Sequence, residues 1–169
     1  LRELHKAPLP CELWLVASSS EEVGLRGGQT ASNKVNPDLA LVLDTACWSK
    51  NFDYGSANHR QIGSGPLLVV YDKTLIAPPR LTAFVEKIAR SLGIPLQKDM
   101  FSNGGTDGGA IHLSGTGVPT VVIGPPTRHG HCAASIADAQ DINQTHQLLV
   151  ALAACLNRET VAHLTDFRC

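Results

Sequence analysis

Short aliphatic runs alternate with polar, glycine-bearing stretches along most of this chain. Residues 12–18 carry Leu13, Trp14, Leu15 and Val16 in succession, which predicts a strand buried on both faces. Residues 23–33 read as a helix loosened by Gly24, Gly27 and Gly28. Residues 38–44 and 67–71 are two further aliphatic runs of strand length, separated by a long polar and glycine-containing loop over 45–65. Pro79 suits the first turn of a helix reaching about Leu92, with Leu81, Phe84, Val85, Ile88 and Leu92 on one face. Gly93 supplies its stop. A short strand is expected around Leu96, and a clearer one over 118–124. A last helix over about 142–158 carries Leu148, Leu149, Leu152 and Leu156 at helical spacing. Strands alternating with helices predict an α/β fold, a mainly parallel mixed sheet with helices on both faces. Leu1 to His5 reads as the end of a helix with no N-cap before it, which marks the chain as a piece of a longer one.

Composition narrows the partners. With 169 residues, 43% hydrophobic and 17% charged, the chain has the make-up of a single folded domain rather than a disordered one. A net charge of −1 argues against nucleic acid or a membrane surface as partner. No apolar stretch approaches the roughly 20 residues that span a bilayer. Five scattered cysteines without a CxxC pair fit neither a disulfide framework nor a zinc knuckle, so reduced thiols in a cytoplasmic protein are expected.

The acidic and histidine candidates cluster after strands. Glu21 and Glu22 follow the first aliphatic run, Asp44 ends the second, and His129 and His131 follow the run ending at Gly124. In an open α/β sheet the carboxyl ends of parallel strands line the ligand crevice. Taken singly, each has a plainer reading. Asp44 is also good helix N-cap chemistry, Glu21-Glu22 suits the first turn of a helix, and His131 fits a surface loop. Together, carboxylates and an imidazole match the donors that a divalent metal takes, with one of two adjacent glutamates left to accept a proton from water. Gly63-Ser64-Gly65 is too short for a serine-hydrolase elbow. The glycine-rich segment from Ser102 to Gly109 lacks both the phosphate-loop and the dinucleotide patterns.

Four stretches in order then carry a family resemblance: Ser20-Glu21-Glu22-Val23-Gly24-Leu25-Arg26-Gly27-Gly28, Pro37 through Thr45, Gly104-Gly105-Thr106-Asp107, and Gly117-Val118-Pro119-Thr120 followed by Arg128-His129-Gly130-His131. With these the chain resembles the tetrahedral aminopeptidases, cytosolic dinuclear-metal enzymes of glutamyl, leucyl and deblocking specificity, from Leu13 to the end of the last helix. The resemblance implies a metal-dependent aminopeptidase with two divalent ions, zinc first, with cobalt or manganese also suited to the donors. By the same resemblance Glu21 is the general base, Glu22 and His131 are ligands of one metal, and Asp44 is a ligand of the other. Asp107, with Gly105 and Thr106, supports the site or touches substrate, and Arg128 orients the His131 loop. Ser20 stands where the family commonly has Gln, and His129 where it often has an aromatic residue.

The resemblance also implies what is absent. The family's first histidine ligand, its bridging aspartate and its inserted dimerisation domain precede the matching region. Residues 1–169 are thus expected to be the C-terminal part of one catalytic domain, the fold incomplete on its N-terminal side. Such a chain alone is expected to bind metal weakly and to hydrolyse peptides poorly. Its partners are peptide substrates and either further copies or the missing part; the alternative is an inactive piece that keeps the fold and acts only through association.

Overall fold

The computed structural model describes residues 3–4, 6, 8–48 and 60–166, and of Cys47 and Trp48 the backbone only. The expected helix at Leu1 to His5 lies mostly outside them, as do residues 49–59 of the long loop.

Twelve elements are described: α1 (Arg26–Val35), β1 (Ala40–Leu43), β2 (Ala46–Trp48), β3 (Leu67–Tyr71), α2 (Pro79–Ser91), β4 (Gln97–Met100), α3 (Asp107–Ile111), β5 (Thr120–Gly124), β6 (Pro126–Arg128), β7 (Ile136–Ala137), α4 (Ala139–Cys155) and α5 (Arg158–Thr165). The main sheet runs β1-β5-β3-β4. β1 pairs parallel with β5, and β3 parallel with β4, while β3 meets β5 antiparallel. The expected α/β fold with a mixed, mainly parallel sheet is therefore present.

The sheet's two faces follow from the alternation of side chains along a strand. Val121, Ile123 and Leu68 point into a core with Leu81, Val85 and Ala89 of α2 and Leu148 and Leu152 of α4. Their neighbours Val122 and Val69 point the other way, packing with Val42 and Leu75 against Ile111 of α3. α1 packs on α3, completing the second layer. Near-complete burial of β5 explains its unbroken aliphatic run.

A second, three-stranded sheet runs β2-β6-β7. Its β2–β6 pairing is parallel and continues the register of β1 on β5: Leu43 lies beside Ile123, and Ala46 beside Pro126. Residues 40–48 and 120–128 therefore travel side by side, and the segments leaving these strands emerge at the same end.

Several expectations need correcting. Residues 12–18 form no strand: a strand exists only as a ladder, and among the described residues this run finds no partner. Trp14, Leu15 and Val16 are 57%, 56% and 52% exposed. α1 starts later than expected, because Gly24 and Leu25 hold positive φ (113° and 56°) just before it. The terminal helix is two helices: α4 begins at Ala139 because Asp138 caps the backbone N–H groups of Gln140 and Asp141, and α5 restarts at Arg158 under an Asn157 cap. Gly63 and Gly65 belong to a buttress, their N–H groups both donating to fully buried Asp141 (2.7 and 2.8 Å).

α2 ends as its sequence predicts, with Gly93 at φ 66° and nothing within 4 Å of where a Cβ would sit. Gly93→Ala should therefore cost only backbone strain, about 1 kcal/mol, read as a lowered urea midpoint at unchanged m-value.

Candidate metal centre

The acidic turn is built from backbone bonds. The Glu21 carbonyl accepts from the N–H groups of Gly24 (3.1 Å) and Leu25 (2.9 Å), and the Ser19 carbonyl accepts from Gly27 N–H (2.9 Å). This presents Glu21 half-buried and Glu22 exposed, ahead of α1. Asp44 follows β1, its own N–H donating to the Ile123 carbonyl (3.2 Å) and its Oδ1 accepting from Thr45 N–H (2.6 Å). His131 lies in the turn between β6 and β7, where the Ser135 hydroxyl donates to the His129 carbonyl (3.0 Å). Arg128 closes β6, its backbone paired with Trp48 and Ile136, three residues before His131.

These elements converge. Glu22 Oε2 and His131 Nε2, far apart in sequence, stand 3.2 Å from each other, both side chains largely exposed. Burial, then the negative charges of Asp44, Glu22 and Asp107, push the Glu21 carboxyl above its ordinary range. Burial likewise raises Asp44, opposed by the Thr45 N–H, with Asp107 and Glu22 adding to the rise. His131 acts on both in the opposite direction. Glu21, Glu22, Asp44, Asp107 and His131 thus form one electrostatic cluster. A small hollow opens beside Asp44, walled by Phe101 and Thr106 over Val69 and Val122.

Backbone strain marks the same place. Of the five non-glycine residues at positive φ among those described, three are Ser20 (61°), His129 (59°) and His131 (58°). Conformations this costly persist where surrounding structure enforces them, and they collect at functional sites.

The glycine-rich segment is held from beneath. Thr106 and Asp107 are buried, and Thr106 Oγ1 donates to Asp72 Oδ2 (3.1 Å). Gly105 lies against Thr74. Sequence reasoning missed Asp72, Thr74 and Ser18. The local signal for the first two was an Asp followed two residues later by a Thr after a strand, a side-chain-to-backbone turn. Ser18 had no local signal, since its partner, Asp107, is distant in sequence.

The donor chemistry suits a divalent cation. A carboxylate oxygen and an imidazole nitrogen already face each other, and the surrounding carboxylates carry mutual repulsion that a cation relieves. The donor count is incomplete: among the described residues, no group of three or more His, Cys, Asp or Glu is arranged to hold a metal.

Past the ends of β1 and β6, and in the turn before α1, the chain gathers an aspartate, a histidine and paired glutamates, the donor types found in metal-dependent hydrolases. The chain belongs to the M42 glutamyl aminopeptidase family, whose model matches residues 1–148. It is 35% identical to a glutamyl aminopeptidase of Lactococcus lactis over 167 residues, covering 99% of this chain and 46% of that protein. It is similar to the crystal structure of a TET aminopeptidase from the marine sediment archaeon Thaumarchaeota archaeon SCGC AB-539-E09, with TM-score 0.83, 39% identity, and 88% of this chain and 41% of that one covered. It is also similar to the TET1 peptidase of Pyrococcus horikoshii, described as assembling into a tetrahedron or a large octahedral shell, with TM-score 0.70, 26% identity, and 82% and 40% covered. The chain thus spans less than half the length of these relatives.

Proposed function

We propose that this chain is the C-terminal part of a metal-dependent aminopeptidase domain and contributes its general base and part of a dinuclear metal site. The observation that carries the reading is the 3.2 Å approach of Glu22 to His131 inside a cluster of mutually repelling carboxylates. Glu22 and His131 would hold one ion and Asp44 another, zinc being the first choice for oxygen and nitrogen donors of this kind, with cobalt and manganese as alternatives. The metals would supply Lewis-acid polarisation of the scissile carbonyl and an acidified water. Glu21, beside the proposed ligands but not shared with His131, takes the water proton and returns it to the leaving amine. Its raised carboxyl suits that work, because a base closer to neutrality can also give its proton back.

Asp107, Thr106 and Gly105 support the cluster from below, and Arg128 orients the turn that carries His131. Peptides with a free N-terminus are the proposed substrates, and the proposed setting is the cytoplasm, where Cys11, Cys132 and Cys155, all free, would stay reduced. Among the described residues no helix is long and apolar enough to cross a membrane.

Association with other chains is part of the proposal. The exposed Trp14-Leu15-Val16 run and the open edge at β1, where Leu43 is 63% exposed, favour a partner strand. Either further copies, as in the assembling relative, or another stretch of the same enzyme would fill that place. If association is all the chain does, it will bind no zinc but elute as an assembly.

The test is zinc affinity, measured by competition with a chromophoric chelator, together with hydrolysis of a free-amine dipeptide and its N-acetyl form. Glu22→Gln and His131→Ala should each weaken zinc at least about tenfold. Equal hydrolysis of the acetylated peptide would rule out an aminopeptidase.

A further inference from the structure

We propose that Ser18 is a positioning residue of this site: its hydrogen bond to Asp107 fixes the turn that presents Glu21 and Glu22, and Asp72 anchors that bond through Thr106. The inference rests on the hydrolytic reading above and names what holds its acidic turn in place.

Asp107 is 7% exposed, yet its carboxylate has a single hydrogen-bond donor among the described residues. Ser18 Oγ donates to Oδ2 at 2.5 Å, and Oδ1 is buried with no partner among the described residues. A carboxylate kept in that state is costly, since buried polar groups are nearly always satisfied. The fold nevertheless makes room for it. A Cβ on Gly28 of α1 would lie 2.7 Å from Asp107 Cγ and Oδ1, so α1 leaves a notch in which this carboxylate sits.

The far end of the arrangement is rigid. Asp72 is 1% exposed, and its Oδ1 accepts from Thr74 N–H (2.6 Å), Thr74 Oγ1 (2.8 Å) and Leu75 N–H (2.8 Å). Its Oδ2 accepts from Thr106 Oγ1, and Thr106 immediately precedes Asp107 at the start of α3. The near end is strained: Ser20, between the Ser18 bond and Glu21, sits at φ 61°. Residues 12–20 are exposed and pair with no strand, so the described contacts that set the height and direction of this segment at its site end are few. They are the Ser18 hydroxyl donating to Asp107 and the Ser19 and Ser20 carbonyls accepting from the N–H groups of Gly27 and Arg26. Of these, only the first ties the acidic turn to the segment carrying Thr106 and Asp107.

Ser18→Ala removes the donor, and Ser18→Thr keeps it. Two readouts on the whole 169-residue chain separate positioning from mere stabilisation: amide exchange at residues 21–25 without metal, and zinc affinity by chelator competition. Ser18→Ala should raise exchange at 21–25 with α2 and α4 unchanged, and weaken zinc by about tenfold; Ser18→Thr should restore both. Unchanged exchange at 21–25, unchanged zinc affinity, or failure of threonine to rescue would each overturn the proposal. If Ser18→Ala does not fold, Thr106→Val, which cuts the anchor to Asp72 at nearly the same volume, should give the same pair of effects. Glu22→Gln runs alongside. If it leaves zinc affinity at the wild-type value, the metal reading falls, whereas the exchange result still decides whether Ser18 holds the turn.

Discussion

In an enzyme completed by the part that supplies the remaining metal ligands, replacing Glu21 by glutamine is expected to lower kcat for a free-amine dipeptide by about 10²- to 10⁴-fold, the usual worth of a positioned general acid or base. Zinc affinity should stay within about threefold of wild type, because the proposed ligands are its neighbours and a metal-ligand loss would cost more. The two effects separate the glutamates: Glu22 faces His131, whereas Glu21 is the more buried of the pair. Glutamine keeps the shape and hydrogen-bonding reach of Glu21 and removes only its capacity to carry a proton. The assay is steady-state hydrolysis with zinc in excess. A KM rise at unchanged kcat would instead make Glu21 a substrate-binding residue, and loss of zinc would make it a ligand.

The parts of this fold that were legible in the sequence are those whose signal is local. Leu67–Tyr71 and α2 announce themselves through run length, helical spacing, Pro79 and Gly93, and each lies within a residue of its expected bounds. Thr120–Gly124 is the last five residues of the expected 118–124 run. Strands β2, β6 and β7 have three, three and two residues, too few for any period to show. Residues 12–18 show the opposite failure: their apolar character is plain, but a ladder needs a partner that the run itself does not encode. The break between α4 and α5 was readable in principle, from Asn157 followed by Glu159 in a first turn, yet the leucine spacing runs through it.

The candidate site divides in the same way. Asp44 and His131 stood out as candidates because chemistry-bearing residues after successive strands are a topological signal, and a parallel β1–β5 pair with a continuing β2–β6 pair turns that order into proximity, whereas Glu21 and Glu22 follow a run that forms no strand among the described residues. The depth of the cluster was not readable. Whether a carboxylate is desolvated depends on what covers it, and for Asp107 that cover is Gly28 of a different element. The positive φ at Ser20, His129 and His131 is likewise a product of the assembled turns, since histidine only tolerates that region more often than most residues and a lone serine gives no sign of it.

That desolvation gives the second large expectation, for Asp44→Asn: zinc affinity should fall at least about tenfold, while the metal-free chain becomes more stable at neutral pH. Burial and the charges of Asp107 and Glu22 raise the folded-state carboxyl of Asp44, so the folded chain holds this proton more tightly than the unfolded chain does. Where the native state binds more protons, stability falls as pH rises. The penalty is absent well below the ordinary aspartate value of about 3.9, grows as pH climbs from there through the raised folded value, and is complete above it. Asparagine never ionises, and its side-chain oxygen can still accept from Thr45 N–H. The variant and the wild type should therefore melt together at low pH and diverge with rising pH, the variant melting higher at pH 7. Added zinc should reverse the order, because a cation bound only by the folded wild type stabilises it in proportion to its affinity. Melting curves across pH, with and without zinc, read all of this from one pair of proteins. A variant less stable than wild type at every pH would mean that Asp44 serves the fold rather than a metal.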